Sequence, residues 1–135
     1  MRTIRPVLFA IWIASLAAVA AATLLPWPEA AAGVRALPGA GALLQALAYM
    51  WLSALALRVF LGRDAAFTWA WGMILYGAAL EVAQALVPGG EPSLGGIGLN
   101  LLGVCVGVLV GHRLKVREHD RRMAEVLARR AGRRS

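Results

Sequence analysis

The chain reads as an all-α, polytopic membrane protein: a bundle of four transmembrane helices with a basic C-terminal tail. Three observations predict this. Of 135 residues, 60% are apolar and only 16% are charged, a balance suited to lipid rather than water. Four apolar windows are each long enough for the ~18 or more residues that a membrane helix needs. The basic residues alternate with those windows, which gives the chain a sidedness.

The first window, Pro6 to Pro28, has no charge, and its span is placed at about 6–27. Ala14, Ala18 and Ala22 recur every four residues, a pattern that lets helix backbones approach closely in lipid. Pro26-Trp27-Pro28 ends it, proline as breaker and tryptophan as interface residue. A basic start followed by an apolar, Ala-rich run also describes a secretory signal peptide. The apolar run continues past Thr23 to Trp27, longer than a signal core, so retention is the preferred reading.

The second span, about 38–61, opens at Pro38 and Gly39. The third, about 65–88, carries Glu81 as the one formal charge between Ala65 and Gly90, with Phe67, Trp69 and Trp71 near its start as an interface belt. Two prolines and two glycines between Val87 and Ser93 turn the chain, and Ser93 is placed to cap the fourth span, about 94–111. There Gly103, Gly107 and Gly111 form two overlapping G-x-x-x-G motifs. A close contact between helices of one molecule is preferred over a dimer seam.

The net charge is +7, and of fourteen Lys and Arg residues only Arg35 falls in the first or third connection. The positive-inside rule therefore puts both termini and the middle loop in the cytoplasm, in a multi-pass protein of the cell membrane. The tail, 112–135, is expected to be partly helical, with Glu118–Arg122 and Glu125–Arg129 as four-residue ion pairs. Val116, Met123, Val126 and Leu127 form only a thin apolar stripe along it. Its expected partner is anionic inner-leaflet lipid. No aromatic platform or groove-reading motif accompanies the charge, so nucleic acid is not expected. Cys105, alone, forms no internal disulfide and reads as a packed small residue. His112 and His119 belong to the tail, and no metal or cofactor is expected.

Chemistry lies where polar residues interrupt the spans. A carboxylate at membrane depth costs a few kcal/mol or more, so such residues face a protein interior and mark function. Gly77, Glu81 and Gln84 share one helical face, as do Asn100 with Gly103, and Gln45 with Tyr49 and Ser53. Burying these stripes against one another hides them from hydrocarbon. Counting ~1.5 Å per residue from the span ends places Gln45, Glu81 and Asn100 roughly 10 Å below the outer boundary. The expectation is a pocket open to the outside, with Glu81, Gln84, Asn100, Tyr49 and Gln45 as ligand-binding residues and Glu81 as the candidate catalytic group. The competing reading is structural: a protonated Glu81 bonded to Gln45, Tyr49 or Asn100 and holding the helices together.

The run Glu81-Val-Ala-Gln84, then Val87-Pro88-Gly89, Pro92-Ser93-Leu94 and Asn100-Leu-Leu-Gly103 resembles the signature of VanZ-like proteins. Leu25-Pro26 and Tyr49 also match that pattern, and the resemblance covers nearly all of the chain except the tail. The sequence departs where the family usually carries a turn arginine (here Gly90), an aspartate (Gly96), and an aspartate and histidine in the second span (Gly41 and Gln45). The resemblance implies an integral membrane protein related to the one that gives low-level resistance to the glycopeptide teicoplanin. Its expected role is to bind or shield an envelope lipid intermediate or a glycopeptide at the outer leaflet. The alternatives are an intramembrane enzyme acting on a lipid or lipid-linked sugar with Glu81 as general acid or base, and a small transporter or membrane-complex subunit.

Overall fold

The computed structural model describes residues 4–25, 39–87 and 94–132. Four α-helices make up almost all of them: α1 Pro6–Leu24, α2 Ala40–Val59, α3 Arg63–Leu86 and α4 Leu94–Gly132. All four are long and apolar enough to cross a membrane. The chain is an all-α four-helix bundle and a multi-pass membrane protein.

Prolines and glycines set most of the boundaries. Pro6 starts α1, where its fixed φ suits a helix and its missing N–H is no loss. Leu25 and Val87 are extended at the ends of α1 and α3. Each precedes a proline, whose ring disfavours helical geometry in the residue before it. Gly39 begins α2 at φ +77°, a left-handed conformation open to glycine. Asp64 sits in the first turn of α3, where the helix dipole favours negative charge. Pro26-Trp27-Pro28, the turn through 88–93 and the Ser93 cap lie outside the described residues.

The α2–α4 contact is the tightest in the bundle. An added Cβ at Gly103 would strike the Ala46 carbonyl, and one at Gly107 would strike the Met50 carbonyl; at Gly111 it would stand 2.9 Å from Ala54 Cα. The glycine ladder thus serves an approach within one molecule, as expected.

The alanine stripe does not. Ala14, Ala18 and Ala22 all face outward, and α1 instead docks through Trp12, 2% exposed, whose indole N–H donates to the Leu52 carbonyl at 3.1 Å. One large ring that buries much apolar area and meets its hydrogen-bond need outweighs three methyl groups. Trp12 joins Phe60 and Trp69, with centroids 5.6 Å from each, in an aromatic cluster at the junction of α1, α2 and α3. The Tyr76 hydroxyl adds a second tie, donating to the Leu16 carbonyl at 2.6 Å.

Val7, Leu43, Leu75, Val82, Leu86 and Leu109 lie exposed on the outer faces. Such a surface is an aggregation hazard in water and matches hydrocarbon.

The fourth helix runs past the expected limit of the span at 111. No proline interrupts it, and its 39 residues reach ~58 Å against a hydrocarbon core of ~30 Å. The helix therefore continues past the apolar span, still touching Phe67 through His112, Phe60 through Lys115, and Arg5 and Arg58 through Glu118. At that end the Arg5 N–H donates to the Val59 carbonyl at 3.0 Å, and Glu118 takes Arg5, Arg58 and Arg122 as ion-pair partners. The N-terminal segment, the exit of α2 and this part of α4 meet there. Of the two expected tail pairs, Glu118–Arg122 forms; Glu125 makes no ion pair among the described residues.

Candidate functional site

Three helices each offer two positions four residues apart, and these meet in two tiers. In the outer tier are Gln45 of α2, Glu81 of α3 and Gly96 of α4. One turn deeper are Tyr49, Gly77 and Asn100 of the same helices. Below them Met73 and Val104, again four residues on, belong to the apolar core.

The Gln45 amide donates to Glu81 Oε1 at 3.0 Å. Glu81 is only 6% exposed, with its carboxylate turned into the bundle. It rests on Gly96: an added Cβ there would collide with Glu81 Oε1 and stand 3.4 Å from Gln45 Nε2. The deeper tier repeats this fit with the roles of the helices exchanged. Asn100 lies over Gly77, where an added Cβ would stand 2.7 Å from Asn100 Nδ2 and 3.0 Å from Tyr49 Cε1. Helices α3 and α4 thus each supply the polar side chain of one tier and the glycine socket of the other, while α2 lends a polar side chain to both.

Asn100 is 1% exposed, and neither its Nδ2 nor its Oδ1 has a hydrogen-bond partner among the described residues. Each unmet buried group of this kind costs about 1–3 kcal/mol. Asn100 is thus an enclosed donor and acceptor one turn, ~5.4 Å along the helix, from the Glu81 tier. The Tyr49 ring lies beside the Tyr76 ring, with centroids 6.3 Å apart.

The expected residues do not all converge. Gln45, Tyr49, Glu81 and Asn100 do. Gln84 turns away to donate to the Thr23 carbonyl at 3.0 Å, tying α3 to the end of α1. Three residues of helix leave it ~60° from Glu81, enough to face another neighbour. Ser53 donates back to the Tyr49 carbonyl at 2.8 Å and serves its own helix. The three polar groups expected at one depth fall at two, since Asn100 lies a turn deeper. Gly96 was absent from the expected set; its signal was a glycine four residues before a buried Asn, legible only once the helix across from it is known.

Chemically, the group is a carboxylate and two carboxamides in low-dielectric surroundings. Amides offer donors and acceptors in fixed planes, and the carboxyl group accepts in either charge state. The set matches hydroxyl and amide groups, such as those of amino sugars and peptides. No family model, curated protein or solved structure matches this chain.

Proposed function

We propose that this chain is a VanZ-like protein of the cell membrane that binds or shields an envelope component at the outer leaflet. The component is a lipid-linked cell-wall intermediate or a lipophilic glycopeptide. The observation that carries the reading is the buried Glu81–Gln45 pair with the unpartnered Asn100 amide one turn away.

Depth and sidedness support it. Glu81 lies five residues from the end of α3, ~8 Å along the axis. That end is opposite the basic one, which the positive-inside rule assigns to the cytoplasm together with both termini. Two positions at which the sequence leaves the VanZ-like pattern, Gln45 and Gly96, are the residues that stand against Glu81. The chain replaces the ionisable neighbours of its glutamate with a neutral amide and a socket. Neutral neighbours suit recognition better than proton transfer, which needs a second tuned group. Binding is therefore preferred to acid–base chemistry.

Access follows from composition. Gly95, Gly96 and Gly98 fall within the first five residues of α4, and each costs about 1 kcal/mol of helix stability relative to alanine. A weakly held helix start beside Glu81 gives a head group a way in.

The test is to express the chain, Glu81→Gln and Glu81→Ala in a glycopeptide-susceptible host at matched membrane levels. The native chain should lower teicoplanin sensitivity and both variants should lose that protection. Protection unchanged in both variants would overturn the proposal.

A further inference from the structure

At the basic end, four cationic side chains from three segments converge. Arg5 lies 3.5 Å and Arg58 3.1 Å from the Glu118 carboxylate, which also takes Arg122. The Lys115 ammonium donates to the Phe60 carbonyl at 3.4 Å. Arg58 Nε is enclosed and has no acceptor among the described residues. Beside this cluster is a groove lined by Arg58, Arg117, Arg121 and Arg122 together with Leu114 and the acids Glu118, Asp120 and Glu125. Counting Arg5 and Lys115, six basic side chains face three acidic ones, so the neighbourhood keeps a surplus of three positive charges. Burial, and next the charge of Arg5, push the Lys115 ammonium below its ordinary value.

The level of this cluster identifies what it would meet. Arg58 is one residue from the end of α2, and Leu114 to Glu118 lie within the first two turns beyond the apolar part of α4. The polar layer of a bilayer is ~5–8 Å thick on each side, and these turns cross it at ~1.5 Å per residue. Leu114, 41% exposed, gives the groove an apolar wall next to its arginines.

We propose that this junction is a binding site for the phosphodiester head group of an anionic phospholipid. The phosphate meets Arg58 and Arg122 in the groove, with Arg5 next to them on Glu118, and the lipid's glycerol and upper acyl carbons lie along Leu114. Glu118 holds the three guanidinium groups near one another in advance, and the anion offsets the charge that one carboxylate leaves unmatched. This goes beyond diffuse attraction of a basic tail, because it assigns the binding to particular arginines. It does not depend on the reading of Glu81.

The test uses the full chain in mild detergent, with native mass spectrometry following bound phosphatidylglycerol against phosphatidylcholine. The native chain should retain phosphatidylglycerol preferentially. Arg58→Gln and Arg5→Gln should each weaken that binding ~5-fold, the weight of one basic residue at a membrane surface. Arg130→Gln, which removes the same charge far along the tail, should leave it within about 2-fold, since a screened charge acts only over a Debye length. Should Arg58→Gln lose its helix content, Arg5→Gln and Arg122→Gln carry the comparison. Equal weakening by Arg130→Gln would mean diffuse attraction and overturn the site. So would equal retention of both lipids, or displacement of the lipid by millimolar inorganic phosphate, which would make a free anion the occupant.

Discussion

Glu81 and Gly96 are one structural unit, since the carboxylate occupies the place where a side chain on α4 would be. Adding a methyl group at Gly96 forces Glu81 to move, and with it the bond from Gln45. Gly96→Ala should therefore destabilise the bundle by about 1 kcal/mol, the low end of the range for overpacking, because the group it strikes is the end of a side chain. In a Glu81→Ala background the same methyl group enters space left by the carboxylate, so its cost should largely disappear. A double-mutant cycle of unfolding in mild detergent measures this coupling. Additive effects would mean that the two residues do not share the space.

Among the helices, the glycines divide by what they touch. Gly107 lies on the Met50 backbone, which cannot yield as a flexible side chain can, whereas an added Cβ at Gly98 meets nothing within 4 Å. Gly107→Ala should cost about 1–3 kcal/mol by prising α4 from α2. Gly98→Ala should stabilise by about 0.5–1 kcal/mol through helix propensity alone. Opposite shifts in the detergent melting temperature check the pair, and a loss at Gly98 would contradict an open outer face there. The Gly103–Gly107–Gly111 ladder was legible in the sequence because spacing alone puts small residues on one face. Helix starts and stops were legible through Pro6, Gly39, Pro26 and Pro88. What spacing could not give is which neighbour a face meets. Ala14, Ala18 and Ala22 have the same period as the glycines yet face outward, because Trp12 decides how α1 sits. Gln84 shares a broad face with Glu81 but reaches α1, and Asn100 lies a turn below its expected level. The full length of α4 escaped a reading based on apolar windows, which end where charges begin and take no account of a helix that continues past them.

Taken as a whole, the molecule has two unlike ends: a polar one around Glu81 and a strongly basic one around Glu118. The basic end is a joint between distant segments, since Arg5 and Arg58 come to Glu118 across 113 and 60 residues of chain. The Glu118–Arg122 pair was legible from its four-residue spacing; the other two partners depend on the fold. Burial tends to raise the carboxyl group of Glu118, but Arg5, Arg58 and Arg122 outweigh it and hold it below its ordinary value. A carboxyl group lowered on folding stabilises the folded state above its ordinary value of ~4.3, and that contribution is lost as pH falls through the lowered value. Melting temperature in detergent should therefore fall on acidification through this range, and the fall should be steeper for the native chain than for Glu118→Gln, which cannot titrate at this position. The variant should also be less stable near neutral pH, where three arginines lose their shared counter-charge, and the two chains should approach one another at the acid end. Added salt should narrow the neutral-pH gap, because these side chains are partly exposed and screened. Parallel acid limbs for the two proteins would remove Glu118 as the group that joins the N-terminal segment to α2 and α4.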